Sequence, residues 1–148
     1  MYSEYKELLL LPFSEFFGYA WLLKQPCKKI LVVEDDPFMK AVIPRLIRNV
    51  NDDTNVNWAS SFEVAAEILN RDTNYDLVIA DYRLEGLKNG IDLYNHCQKH
   101  YPKIPFIVIS GLSLQSIRSQ SRVCAPKFAY LSNPLQVKQF RYELEKFI

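Results

Sequence analysis

Ile30-Leu31-Val32-Val33-Glu34-Asp35-Asp36-Pro37 is the stretch that decides the fold. Four apolar residues, three of them β-branched, make a short run suited to a strand buried on both faces. The run then closes on three acids. A second run repeats the plan, because Leu77-Val78-Ile79-Ala80 closes on Asp81. Apolar strands of this kind alternate along the chain with longer helical periodicities, the pattern of a parallel sheet covered by helices on both sides.

Working outward, five strands are expected at about 29–34, 55–59, 76–81, 105–110 and 127–132, and five helices at about 37–50, 61–71, 90–100, 113–122 and 135–147. The fold class is α/β: a doubly wound, five-stranded parallel sheet. Ser60-Ser61-Phe62-Glu63 reads as a capping box, with Ser60 satisfying a free backbone N–H and Glu63 reaching back. Asn89-Gly90 and Asn133-Pro134 mark the loops that open the third and fifth helices. Pro44 falls inside the first helix, where a missing N–H is expected to kink it at a cost of about 3 kcal/mol unless packing compensates.

The 148 residues, 49% of them hydrophobic, fill one core, so a single domain is expected over 27–148. A formal charge of +1, with both signs well mixed, gives no basis for a nucleic-acid platform. Cys27, Cys97 and Cys124 are odd in number and never paired as Cys-x-x-Cys, which argues for reduced thiols in a cytoplasmic protein. Residues 1–26 form an apolar extension, with Leu8 to Leu11 followed by Phe13, Phe16, Phe17, Tyr19 and Trp21. Glu4, Glu7, Pro12 and Glu15 argue against an export signal or a membrane span, so this helical segment is expected to bury itself in an interface or against its own domain.

Right-handed crossovers place the C-terminal ends of all the strands on one edge of the sheet, where ligands of such folds bind. That edge collects Glu34, Asp35, Asp36, Asp81, Ser110, Gly111 and Asn133. Carboxylates gathered there repel one another, and keeping them ionised calls for a cation; all-oxygen ligation suits Mg²⁺. A carboxylate in such a cluster can attack phosphorus while a hydroxyl such as Ser110 binds a transferred oxygen. Helix capping accounts for Asp36 but not for Asp81, which no helix follows directly.

From about Lys28 to Ile148 the chain resembles the receiver domain of two-component response regulators. The Ile30–Pro37 stretch is similar to the family's first strand and acidic pair, with Glu34 and Asp35 at the paired positions. Tyr75-Asp76-Leu77-Val78-Ile79-Ala80-Asp81 is similar to the strand that ends in the phosphoacceptor. The resemblance implies the flavodoxin-like strand order 2-1-3-4-5 and phosphorylation on Asp81. It also implies Mg²⁺ held by Asp35, Asp81 and the backbone carbonyl of Arg83, with Glu34 acting through water. Ser110 would be the switch hydroxyl and Tyr130 the aromatic switch residue.

Two departures stand out. Where the family carries a phosphate-binding Lys before Pro, this chain has Asn133 before Pro134. Neutral hydrogen bonds net about 1 kcal/mol against about 1.5–3 for charged ones, so phosphoryl stabilisation is expected to fall about tenfold or more. Lys127 lies at the wrong end of its strand to substitute; Arg83, beside Asp81, could do so in part. The loop Glu85-Gly86-Leu87-Lys88-Asn89-Gly90 lacks the family's usual Pro and is one residue longer, a change a surface loop tolerates.

The resemblance therefore implies a stand-alone receiver, phosphorylated by a sensor histidine kinase or histidine phosphotransfer protein and passing the signal to a downstream protein, rather than an enzyme. The helices and strands run to the chain's end, so no DNA-binding or enzymatic output domain is expected. One alternative is a phosphorylation-independent interaction module working through the N-terminal extension. Another is a phosphatase with an Asp nucleophile, which would want a second Asp two residues on, where Arg83 stands. Arg118, Arg122 and Lys127 form a small basic patch near the fourth helix and fifth strand. By resemblance, dimers form on the face from the fourth to the fifth helix, and the N-terminal segment is a second candidate surface. His96 and His100, four residues apart on the third helix, read as surface histidines without a third metal ligand.

Overall fold

The computed structural model describes residues 27–148, so the expectation of an apolar helical extension over 1–26 lies outside the described residues. Ten elements alternate along the chain: β1 Lys28–Val33, α1 Pro37–Arg48, β2 Thr54–Ala59, α2 Phe62–Arg71, β3 Leu77–Asp81, α3 Gly90–His100, β4 Phe106–Ser110, α4 Leu114–Ser119, β5 Ala129–Ser132 and α5 Val137–Leu144. The strands form one sheet in the order β2-β1-β3-β4-β5, with every pairing parallel. Strand order reverses between β1 and β3, which makes those two neighbours the switch point of the sheet.

Alternation along the strands divides the core into two layers. Leu31, Val33, Val78 and Ala80 point to one face with Leu69, Leu93, Tyr94 and Ile117 of α2, α3 and α4. Ile30, Val32, Leu77 and Ile79 point to the other with Ile43 and Ile47 of α1 and Phe140 and Leu144 of α5. Both faces of the central strands are therefore dry, and their runs must be apolar throughout. Pro44 lies inside α1, which continues to Arg48.

Several boundaries shift for identifiable reasons. The cap of α2 is Ser61 rather than Ser60: its hydroxyl accepts from the Val64 N–H at 3.3 Å, placing Phe62 as the first helical residue and burying it. A reciprocal capping box instead opens α3, where Asn89 accepts from the Ile91 and Asp92 N–H groups and Asp92 accepts from the Asn89 N–H. The fourth helix stops at Ser119 rather than near 122 because Asn95 of α3 takes the Arg122 N–H at 2.9 Å and the Ser121 hydroxyl at 3.4 Å. The fifth strand starts at Ala129, since the Lys127 N–H donates to the Tyr94 hydroxyl at 2.9 Å instead of joining the ladder. Helix α5 begins at Val137, after Asn133-Pro134 has turned the chain through a cis bond. Beyond Leu144 the chain tightens into shorter-range bonds from the Lys146 and Phe147 N–H groups.

Candidate phosphoacceptor and metal site

The acidic stations meet because β1 and β3 are in direct register, Val33 opposite Ala80, and both strands end at the same edge. Carboxylate oxygens of Glu34, Asp35 and Asp81 all lie within 4.8 Å of one another. Glu34 is buried, 5% exposed, while Asp35 is open to solvent and Asp81 half-buried. Asp36 turns away from the trio and caps α1, accepting from the Phe38 N–H at 2.8 Å, while its own N–H donates to Glu34 Oε1 at 3.0 Å. Asp36 is thus a helix cap, as its place before α1 suggests, and the other three acids are left as a group.

Electrostatics at this edge follow first from burial and then from the crowding of the acids. Burial pushes the Asp81 carboxyl up to about 6, with Asp35 adding to the rise and the Arg83 N–H, 3.1 Å from Oδ2, holding it back. Burial likewise lifts Glu34 to about 7, against the opposing hydrogen bond from Asp36 and with the neighbouring Asp81 and Asp35 adding to it. Three oxygen donors converging from two strand ends, each in need of positive charge, fit a hard divalent cation such as Mg²⁺.

On the other side of Asp81 lies a cavity of about 200 Å³ lined by Asp81, Tyr82, Arg83, Ser110, Gly111, Leu112 and Asn133. Ser110 is 1% exposed; its Oγ accepts from the Leu112 N–H at 3.0 Å, and its carbonyl accepts from the Asn133 N–H at 2.8 Å. Tyr130 does not line this cavity. Its hydroxyl donates to the Leu112 carbonyl at 2.7 Å and, more weakly, to that of Ser110 at 3.3 Å. Arg83 supplies the positively charged side chain in the lining, and Asn133 stands exposed at the rim.

Gly90 sets how closely α3 approaches this edge. Its N–H donates to the Tyr82 carbonyl at 2.9 Å, and a Cβ there would meet the Asp81 carbonyl oxygen far inside van der Waals contact, with the Asp81 carbonyl carbon at 3.0 Å. Asn89-Gly90 therefore does more than open a helix, since it lets α3 begin against the residue that ends β3. The sequence signals a turn there but not the close approach.

The family model described as response regulator receiver domain matches residues 30–141. Among curated proteins, the chain is similar to the transcriptional regulatory protein MalR of Bacillus subtilis, 30% identical over 80% of this chain and 49% of that protein. The chain thus spans about half the length of that relative. A signal receiver domain of an HD domain-containing protein from Pseudomonas fluorescens superposes with a TM-score of 0.71 at 19% identity, covering 82% of this chain and 87% of that one. The receiver domain of a sensor histidine kinase from Pseudomonas aeruginosa, solved with a magnesium ion coordinated in the active site cleft, gives a TM-score of 0.67 at 24% identity, covering 81% and 96%.

Proposed function

Because this chain belongs to the response regulator receiver domain family of two-component signalling, we propose that it is a phosphorylation switch with Asp81 as the phosphoacceptor. The observation that carries this reading is the placement of Asp81, which has the Glu34–Asp35 carboxylates on one side and the Ser110–Asn133 cavity on the other. An Asp81 carboxylate oxygen attacks the phosphorus of a phosphohistidine; the N–P bond breaks, its electron pair stays on the imidazole, and an acyl phosphate forms. Glu34, Asp35, Asp81 and the Arg83 carbonyl would hold Mg²⁺, which offsets the charge of the transferred oxygens. The transferred oxygens then occupy the cavity, where the Ser110 hydroxyl and the Asn133 amide donate to them and Arg83 contributes charge.

The donor in this reading is a cytoplasmic sensor histidine kinase or histidine phosphotransfer protein. The readout is a changed protein-protein face around α4, β5 and α5. Receiver domains are generally signalling switches rather than enzymes, and any turnover here is confined to the domain's own phosphorylation and dephosphorylation. Among the described residues, no helix is long and apolar enough to cross a membrane. A phosphorylation-independent interaction module is the second reading, favoured by Asn133 at the cavity rim, where an amide brings no charge.

Intact mass after incubation with a small phosphodonor and Mg²⁺, with Asp81→Asn as control, tests the first reading. A gain of one phosphoryl group in the native chain alone supports it. No gain in folded protein moves the function to the interaction module, with residues 1–26 and the α4–α5 face as the surfaces to probe.

A further inference from the structure

A second cleft, of about 520 Å³, shares no lining residue with the Asp81 cavity. Its walls come from the start of α2 (Phe62), the β3–α3 loop (Lys88), the outward face of α3 (His96, Lys99, His100) and the segment after α4 (Arg122). Lys88, Lys99 and Arg122 form no ion pair among the described residues; the ion pairs there involve other side chains. Asp92 is the one acid in the lining, and its carboxylate is committed to the Asn89 N–H at 2.9 Å, at the N-terminus of α3. Lys88 Nζ stands 4.0 Å from the centroid of the Phe62 ring, which holds its charge over the cleft without neutralising it.

His96 is at the centre of this arrangement. Its Nε2 is buried and has no hydrogen-bond partner, and its ring packs 5.5 Å from that of Phe62 and 4.5 Å from that of His100. Of the two histidines expected at the surface, His100 is exposed, while His96 is half-buried and its Nε2 is enclosed by packing against Phe62, His100 and Tyr101. A buried polar atom without a partner is costly unless a ligand or water completes it. Lys99 and His100 in the last turn of α3 also complement the negative end of the helix dipole, but that role does not extend to Lys88 and Arg122, which arrive from other elements.

We propose that this cleft binds a small, multiply charged oxyanion, of the diphosphate or tricarboxylate class, with Lys88, Lys99 and Arg122 supplying charge beside the half-buried His96 ring. Three cations from three elements converge against a single committed carboxylate, which matches a compact polyanion better than a monovalent one. Burial, together with the neighbouring His100 and the positive charges of Lys88 and Lys99, holds the His96 imidazole below its ordinary range. A bound anion offsets those charges and favours the imidazolium. Protonation of His96 therefore favours binding, with Asp92 the single opposing charge in the lining.

The test is a titration of the metal-free full chain, labelled at histidine, with pyrophosphate and separately with citrate, following the imidazole resonances. Saturable movement of the His96 and His100 signals is expected, unchanged in Asp81→Asn. Lys99→Gln combined with Arg122→Gln should weaken binding about tenfold or more, since each removes a charge-assisted contact at an exposed position. Lys88→Gln serves as an independent second variant expected to weaken binding in the same direction. The tighter of the two probes identifies the oxyanion group. The proposal is overturned if neither probe moves the histidines saturably, if the charge variants bind as tightly as the native chain, or if Asp81→Asn, which removes a repelling carboxylate from the other cavity, changes the affinity, which would place the anion beside Asp81.

Discussion

Gly90 and Asp81 are in backbone contact: the first residue of α3 lies against the last residue of β3, and a Cβ on Gly90 would stand 3.0 Å from the Asp81 carbonyl carbon and 3.1 Å from the Tyr82 Cα. The side chain on which the proposed chemistry depends is thus held from behind by a residue with no side chain. Gly90→Ala must push α3 off the strand end, and a loss of about 2 kcal/mol or more is expected. Urea unfolding measures the loss. Phosphorylation of Asp81 should fall in the same variant, beyond what the unfolded fraction explains. Stability and yield both at native levels would mean the strand end yields without cost.

The two raised carboxyls predict an unusual pH dependence. Asp81 and Glu34 sit at about 6 and about 7 in the folded protein, against ordinary values of 3.8 and 4.5. The folded state therefore holds more protons than the unfolded chain in that window. This contribution to stability is fully present below about pH 4 and is lost as pH rises through about 6 to 7. Metal-free protein should be less stable at about pH 8 than at about pH 5, by on the order of 2 kcal/mol after allowance for solvent screening. Mg²⁺ selects the ionised carboxylates, so its stabilising effect should be larger at the higher pH. Denaturation midpoints at both pH values, with and without Mg²⁺, test the two signs together.

Asn133→Lys should restore a charged donor at the rim of the Asp81 cavity. Exchanging a neutral for a charge-assisted hydrogen bond is expected to raise phosphorylation yield or acyl-phosphate lifetime about tenfold. Intact mass over time with a small phosphodonor measures both. An unchanged time course would mean that Asn133 is not what limits the site.

Tyr130 secures the loop after β4 through the Leu112 and Ser110 carbonyls. Tyr130→Phe should cost about 1 kcal/mol and raise amide exchange around Leu112, leaving the buried strands unaffected. If the switch proposal holds, attaching phosphate or a phosphate mimic to Asp81 should shift the resonances of Ser110 and Tyr130. Static resonances at both residues would remove them from the switch.

Apolar runs such as Ile30–Val33 and Leu77–Ala80 made the parallel sheet legible in the sequence, because a strand buried on both faces has no polar position to disguise it. Since parallel strands connected by helices end on a common edge, the positions of Glu34, Asp35, Asp81, Ser110 and Asn133 at that edge were legible too. Local sequence misplaced elements where a distant residue takes a backbone group: Asn95 ends α4 early, and the Tyr94 hydroxyl delays β5. The burial of Phe62 shifts the cap of α2 by one residue. The close approach of Gly90 to Asp81 and the unpartnered Nε2 of His96 depend on packing between elements, to which local periodicity is blind. Patterning along the chain records which face of a strand or helix avoids water. It carries no record of which atoms from other elements meet there, so the order of the layers could be read in advance, while the contacts that shape both clefts arose only when the layers closed on one another.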